Sequence, residues 1–333
     1  MGEKTFPYQD RIYGEFHLHE SVLIDLIHSQ AVQRLHGVLQ HGITGLLGIT
    51  RDTSRYEHSM GVMLLVRRLD ASLEEQIAAL LHDISHTAFS HVIDYVFDGH
   101  LEQSYHEIHK ETYMAGMDLP AILAGYGYDW HDFLHEEHYG LLEQASPALC
   151  ADRLDYFLRD ALDLGLSSLE EVQQAIQHLV VHEGKIVVDD LQVARWLGFT
   201  FMKADQASWA NFREVGLYEI TAQAIRLGLE RRVISEKDFW GTDEVLWGKL
   251  NASLLPQLRR QLGRINPQTR FVRDPQRAEF WVATKLRSID PSVLVNGKPQ
   301  PLSRMDPQFA RERQHYLTIN AGKWPFYVDP PLR

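Results

Sequence analysis

The residues best suited to chemistry lie in one stretch, His82-Asp83-Ile84-Ser85-His86-Thr87-Ala88-Phe89-Ser90-His91-Val92-Ile93-Asp94. Three histidines and two aspartates stand there among apolar neighbours. Imidazole and carboxylate groups are costly to bury unpaired, so this density implies that they partner one another or a cation. Two further positions extend the set. His58 follows Ser54-Arg55-Tyr56-Glu57, and Asp152 opens Asp152-Arg153-Leu154-Asp155-Tyr156, with Asp152, Tyr156 and Asp160 at i, i+4 and i+8. His58, His82, Asp83 and Asp152 together make a mixed nitrogen–oxygen donor set, which suits Mn, Fe, Zn, Co or Ni better than Ca. Four protein ligands on an octahedral ion leave positions for water and substrate. The bland alternative is a hydrogen-bonded cluster buried on a core helix.

The elements that must position these groups are mostly helical. Ser54-x-x-Glu57 and Ser72-x-x-Glu75 have the pattern of N-terminal capping boxes, and they predict helices near 55–69 and 73–94. On the second, His82 and His86 are i and i+4 and share a face, with Asp83 about 100° round. Earlier in the chain, a short strand is expected near 12–16 and helices near 20–28 and 30–40. Later, a helix beginning near Ser104 is expected, then one through 131–143, a motif helix over 149–163, and one capped by Ser168-x-x-Glu171. A short strand at 185–188 and a long helical pattern over 190–229 follow. From Pro256 the character changes. Glu279–Leu286 alternates like a strand, and Asn296-Gly297 suggests a hairpin turn. The expected architecture is mainly α: a helical catalytic body over 1–230 and a smaller α+β C-terminal region over 231–333.

Taken in order, Arg55-Tyr56-Glu57-His58-Ser59-Met60-Gly61, His82-Asp83 and Asp152-Arg153-Leu154-Asp155-Tyr156 are similar to the H…HD…D signature of HD-domain metal-dependent phosphohydrolases. The chain most resembles the branch containing deoxynucleoside triphosphate triphosphohydrolases. Ile12-Tyr13-Gly14-Glu15-Phe16, Gln33-Arg34-Leu35, Gln40-His41-Gly42 and His106-Glu107 share in that likeness, which covers roughly 11–165 and weakens towards 230. One departure is Ser85, where the family usually has Gly. The interval from His106 to Asp152 is also short, so the pocket roof is expected to be smaller than in relatives that need effectors.

The resemblance implies an HD helical bundle and hydrolysis of a phosphate ester or anhydride of a nucleotide, foremost a (deoxy)nucleoside triphosphate, by metal-activated water. By the same resemblance His86, His91, Asp94 and His106 stand near the reacting phosphate. His86 and His106 would contact phosphate or leaving group, and Asp94 would orient His106. Arg55 and Arg153 are candidate phosphate clamps, because guanidinium binds phosphate bidentately. Lys203 is a weaker candidate, since a lysine on a long helix is usually solvated. Gln40, Tyr156 and Asp160 match residues that grip the sugar in the resembled branch. Registered on Val215-Gly216, Asn211 stands where a further sugar-packing tyrosine is expected, and a basic pair usual before it is missing. Relaxed choice between ribose and deoxyribose follows as an expectation, with a leaning towards fewer phosphates. Mg is a candidate partner for the substrate phosphates, and the resemblance leans towards a homo-oligomer.

Composition agrees with an enzyme acting on small molecules. Hydrophobic residues make up 44% of the chain and charged ones 23%, ordinary for a globular protein. The net charge of −12 argues against general nucleic-acid binding, which rests on clustered Lys and Arg. Cys150 is the single cysteine, excluding an intrachain disulfide or a cysteine-rich zinc site. The N-terminus lacks an apolar signal core and no apolar run approaches membrane-spanning length, so a cytoplasmic location is expected. His131, His135 and His138 with Glu136 and Glu137 have metal-like spacing, but such a mixed segment is more often a solvated face, as with His178 and His182. Two other classes compete: a His-x-x-x-His metalloprotease, which needs a Glu that Asp83 replaces poorly, and a catalytically silent nucleotide sensor. An HD nucleotidase or phosphodiesterase acting on another phosphorylated substrate is a further alternative.

Overall fold

The computed structural model describes residues 5–51 and 53–329. Helices dominate, and the three that carry the motif pack together in one apolar core. Helix Arg55–Arg68 starts at Ser54, whose Oγ accepts from the Glu57 N–H at 3.1 Å. Helix Leu73–Leu81 starts the same way at Ser72, accepting from Glu75 N–H at 3.1 Å. The glutamates do not close these boxes. Glu57 accepts from Arg11 and Arg159, while Glu75 accepts from the backbone N–H groups of Leu141 and Leu142. Of the three serines read as capping boxes, Ser168 keeps the full reciprocal pair, at helix Leu169–Gln177. The third motif helix, Ala151–Asp163, lies against Arg55–Arg68 where Gly61 leaves space. A Cβ there would sit 2.0 Å from Arg159 Nη2 and 2.1 Å from Asp155 Oδ1.

That space holds a buried charge network. Arg159, fully buried, donates to both carboxylate oxygens of Asp155, to Glu57 and to Asp10. Asp10 ends strand Phe6–Asp10, which pairs antiparallel with Gly14–Leu18. Arg11, in the turn between them, donates to Glu57 and to both oxygens of Asp163. The expected strand near 12–16 is therefore half of a hairpin, tied to the motif helices by charge. Buried ion pairs are costly to break one partner at a time, because the other charge is left uncompensated.

The remaining strands form two small sheets. Leu179–His182, Lys185–Val188, Ser292–Val295 and Lys298–Pro301 stand in that order, the inner pair parallel with Val188 opposite Val293. Asn296 and Gly297 make the last turn with φ of 49° and 75°, the left-handed pair a two-residue hairpin requires. Arg270–Val272 and Phe280–Val282 flank Trp324–Asp329 in the third sheet. The division expected at residue 230 is bridged twice. Lys185–Val188 pairs across it, and both apolar clusters draw residues from each side.

Four helical or strand expectations change. The helix expected over 73–94 stops at Leu81, and its chain resumes helical form only at Val92–Val96. Between them Phe89 and Ser90 take left-handed φ of 61° and 47°. The helix ladder is replaced by distant partners, with Ala88 N–H donating to Phe239 O and Phe89 N–H to Asp243 Oδ1. The helix expected over 131–143 is only two short 3-10 turns, Trp130–Phe133 and Glu136–His138. The pattern over 190–229 splits into Leu191–Ala207 and Phe212–Glu230, because Ser208 leaves helical geometry. The alternating run 279–286 is extended only at Phe280–Val282.

Candidate metal centre and cleft

His82 is the C-terminal cap of helix Leu73–Leu81, and Asp83 begins the irregular segment that follows. His58 enters from the first turn of Arg55–Arg68, and Asp152 from the first turn of Ala151–Asp163. The Nε2 atoms of His58 and His82 are 3.3 Å apart. Asp152 Oδ1 lies 3.0 Å from the first and 3.6 Å from the second. Asp83 completes the group, 3.7 Å from His58 and 3.6 Å from His82. The sharing of one helical face by His82 and His86 does not survive the break at Leu81. Instead His86 reaches Asp83 at 3.1 Å from the irregular segment.

The outer ring nitrogens are committed elsewhere. His58 Nδ1–H donates to Asp155 at 2.7 Å, and His82 Nδ1–H donates to the Ala79 carbonyl at 2.7 Å. Both imidazoles thus present Nε2 inward, the arrangement of metal-bound histidines with an outer partner. The charges agree. Burial works against protonating His58, yet Asp152 and Asp155 raise its pKa; Asp83 and Asp152 likewise carry His82 to about 10 against burial. A carboxylate excess that draws in protons draws in a cation equally well, and metal binding would release those protons. The donor set fits a divalent transition metal. Asp155→Asn is expected to weaken metal affinity by roughly 10–100-fold, the usual worth of such an outer partner. A metal-buffer titration of the folded variant checks it.

The centre opens into a cleft of about 420 Å³. Gln40, Arg55, His86, His91, His106, Arg153, Tyr156 and Asp160 all line it. His86 and His106 stack with ring centres 3.7 Å apart, and His91 meets His106 nearly edge-on at 5.8 Å. Burial and the Arg55 charge hold His86 well below the usual range, and burial with His91 takes His106 down to about 3. Both rings are therefore neutral near pH 7.

Several expected roles are rearranged. Asp94 accepts from His91 Nδ1 at 2.9 Å and from Tyr105 N–H, so it orients His91 and not His106. Arg55 pairs with Asp83 at 2.5 Å. Arg153 spends its donors on Ala148 O, Cys150, Glu143 and Gln144 O, so it braces the 143–150 loop and is no free clamp. Asp160 accepts from His41 and from the Trp209 indole at 3.0 and 2.6 Å, both oxygens engaged before any substrate. Lys203 is exposed and does not line the cleft, so the contact expected of it has no geometric basis. Asn211 caps helix Phe212–Glu230, accepting from Arg213 N–H, and is likewise off the cleft. Trp209 stands at the wall in its place, edge-on to Tyr156 at 4.9 Å and 90°. The relaxed sugar choice reasoned from Asn211 loses its basis.

Sequence reasoning missed Asp155, Trp209, Lys285 and Arg287. The i, i+4 pair Asp155–Arg159 was readable on the motif helix; the others carry no local signal. His131, His135 and His138 are exposed, and among the described residues the converging metal-type group is His58, His82 and Asp83. No helix among the described residues is long and apolar enough to cross a membrane.

Residues 55–160 match the family model described as HD domain. A metal-dependent phosphohydrolase from Cordyceps militaris, cns2, is 40% identical, with 95% of this chain and 94% of that protein covered. Deoxynucleoside triphosphate triphosphohydrolase SAMHD1 from Danio rerio is 26% identical over 53% of this chain and 40% of its own length. A hypothetical protein from Aquifex aeolicus has a similar solved fold, with a TM-score of 0.72, 21% identity, and 98% and 97% of the two chains covered. With its H…HD…D residues converging on one cleft, this chain belongs to the HD-domain family of metal-dependent phosphohydrolases.

Proposed function

We propose that this phosphohydrolase acts on a nucleotide, cleaving a phosphate ester or anhydride. The supporting observation is the shared cleft: the metal-type cluster, a stack of neutral histidines and the aromatic corner of Tyr156 and Trp209 all face one space. The distant likeness to a deoxynucleoside triphosphate triphosphohydrolase points to the same substrate class.

His58, His82, Asp83 and Asp152 would hold the ion. Bound there, it would supply Lewis acidity to a phosphoryl oxygen and bring the pKa of water towards neutrality. The protein's own groups do the rest. His86 and His106 meet the phosphoryl oxygens or the leaving oxygen, and an arriving phosphate raises their depressed pKa values by its charge. Asp94 holds the His91 ring in one orientation. Gln40 offers the sugar a buried Oε1 that has no hydrogen-bond partner among the described residues. Tyr156 and Trp209 give the nucleoside an apolar wall.

A panel of ribo- and deoxyribonucleoside mono-, di- and triphosphates, incubated with Mn²⁺-loaded protein and resolved by product, tests the reading. Release of phosphate, pyrophosphate or tripolyphosphate from at least one member is expected. Turnover of non-nucleotide phosphate esters with every nucleotide inert would overturn it.

A further inference from the structure

Four cationic side chains line the cleft: Arg55, Arg153, Lys285 and Arg287. The first two are spoken for. Arg55 is paired to Asp83, and Arg153 is tied to Glu143 and the loop carbonyls. Lys285 and Arg287 differ. Among the described residues neither has a carboxylate within ion-pair distance. Lys285 Nζ donates only to the Glu102 carbonyl at 3.3 Å. Arg287 donates to the Gln103 side chain and to the Lys285 carbonyl. Glu107 and Asp94 act on Lys285 only from beyond ion-pair distance, so two cations two residues apart face the cleft with no carboxylate in contact with either side chain, an arrangement that suits an anion.

The segment that bears them is fixed before any ligand arrives. Arg287 N–H donates to Asp205 at 2.8 Å, and the buried Asp205 also accepts from Tyr316 at 2.7 Å. Ser288 Oγ accepts from Arg313 at 3.0 Å. Ile289 is fully buried, and Asp290 N–H donates to Pro147 O at 2.9 Å, latching the segment to the loop that Arg153 braces. Partial burial and then the Arg287 charge lower the pKa of Lys285, against the opposing pull of Glu107 and Asp94. Two cations kept together at this cost form a pre-organised site.

We propose that Lys285 and Arg287 form an anion subsite for the substrate's phosphate, supplied to the cleft by the C-terminal region. It deepens the nucleotide reading above and rests on it for the identity of the substrate. The Arg287 fork now donates to the neutral Gln103 side chain and the Lys285 carbonyl and would exchange these for two phosphoryl oxygens, while Lys285 adds a point charge at the rim. The subsite takes the place of the basic residues missing before Asn211 and of the solvated Lys203.

Calorimetric titration of chelator-treated full-length protein with pyrophosphate tests this without any metal or turnover. Wild type is expected to bind. Arg287→Ala and Lys285→Ala are each expected to weaken binding roughly tenfold or more, the scale of one charge-assisted hydrogen bond. Lys285 is exposed at the rim, so its variant reads the site even where loss of Arg287 disturbs the fold. No binding by wild type, or wild-type affinity in both Lys285→Ala and the double variant, overturns the subsite. The two readings fail separately. Nucleotide hydrolysis with pyrophosphate binding unchanged by the variants removes the subsite alone. Loss of binding in the variants, with every nucleotide inert, removes the nucleotide reading and leaves the subsite standing.

Discussion

His82→Ala and Asp83→Ala are each expected to strip the bound transition metal and reduce phosphohydrolysis to background while the helical fold persists. Both side chains are buried; His82 stands within 4 Å of His58, Asp83 and Asp152, and Asp83 within 4 Å of His58 and His82. Removing an inner donor should cost more than the roughly 10–100-fold of an outer partner. The two variants differ in their side effects. His82→Ala leaves Ala79 O without its donor, a cost of about 1–3 kcal/mol. Asp83→Ala leaves the buried Arg55 without its ion-pair partner, so it should melt earlier. Elemental analysis of the purified variants, alongside far-UV circular dichroism, decides it. A full metal complement in both would return the cluster to the bland reading, a hydrogen-bonded core.

His106→Ala is expected to behave differently, keeping its metal yet turning over about 10²–10⁴-fold more slowly, the usual worth of a positioned acid or base. His106 lies in the first turn of helix Tyr105–Ala115, stacked on His86, and is not one of the candidate ligands. Its ring is held neutral by burial and by His91. Single-turnover rates at saturating metal and substrate, with metal content measured in the same samples, give the test. Wild-type turnover would make His106 a packing partner of His86 and nothing more.

What the sequence made legible was what is encoded locally or in a fixed order. Ser54, Ser72 and Ser168 mark helix starts because a cap acts within three residues. Asn296-Gly297 marks its turn because few residues tolerate both left-handed positions. His58, His82, Asp83 and Asp152 were found because their types and order are distinctive. Long-range partners hid the rest. The helix ending at Leu81 breaks for Phe239 and Asp243, which no window around His82 contains. Asp94 serves His91 because the break changes which ring it faces. Asn211 reads as a sugar-side residue because the pattern over 190–229 gives no sign of the turn at Ser208, after which Trp209 lines the cleft. Lys285 and Arg287 sit in an irregular segment with no periodicity to read.

The latch between the His82–His91 segment and Asp243 also sets a schedule. Phe89 and Asp243 are 154 positions apart, so a ribosome adding about 5–20 residues per second delivers Asp243 roughly 8–30 s after Phe89. Until then the Ala88 and Phe89 N–H groups lack their acceptors, although Arg34 and Arg55, already made, hold Ile84, His86 and Ser90. The turn that carries the chain from His82 to His91 is consequently completed only once synthesis has passed Asp243.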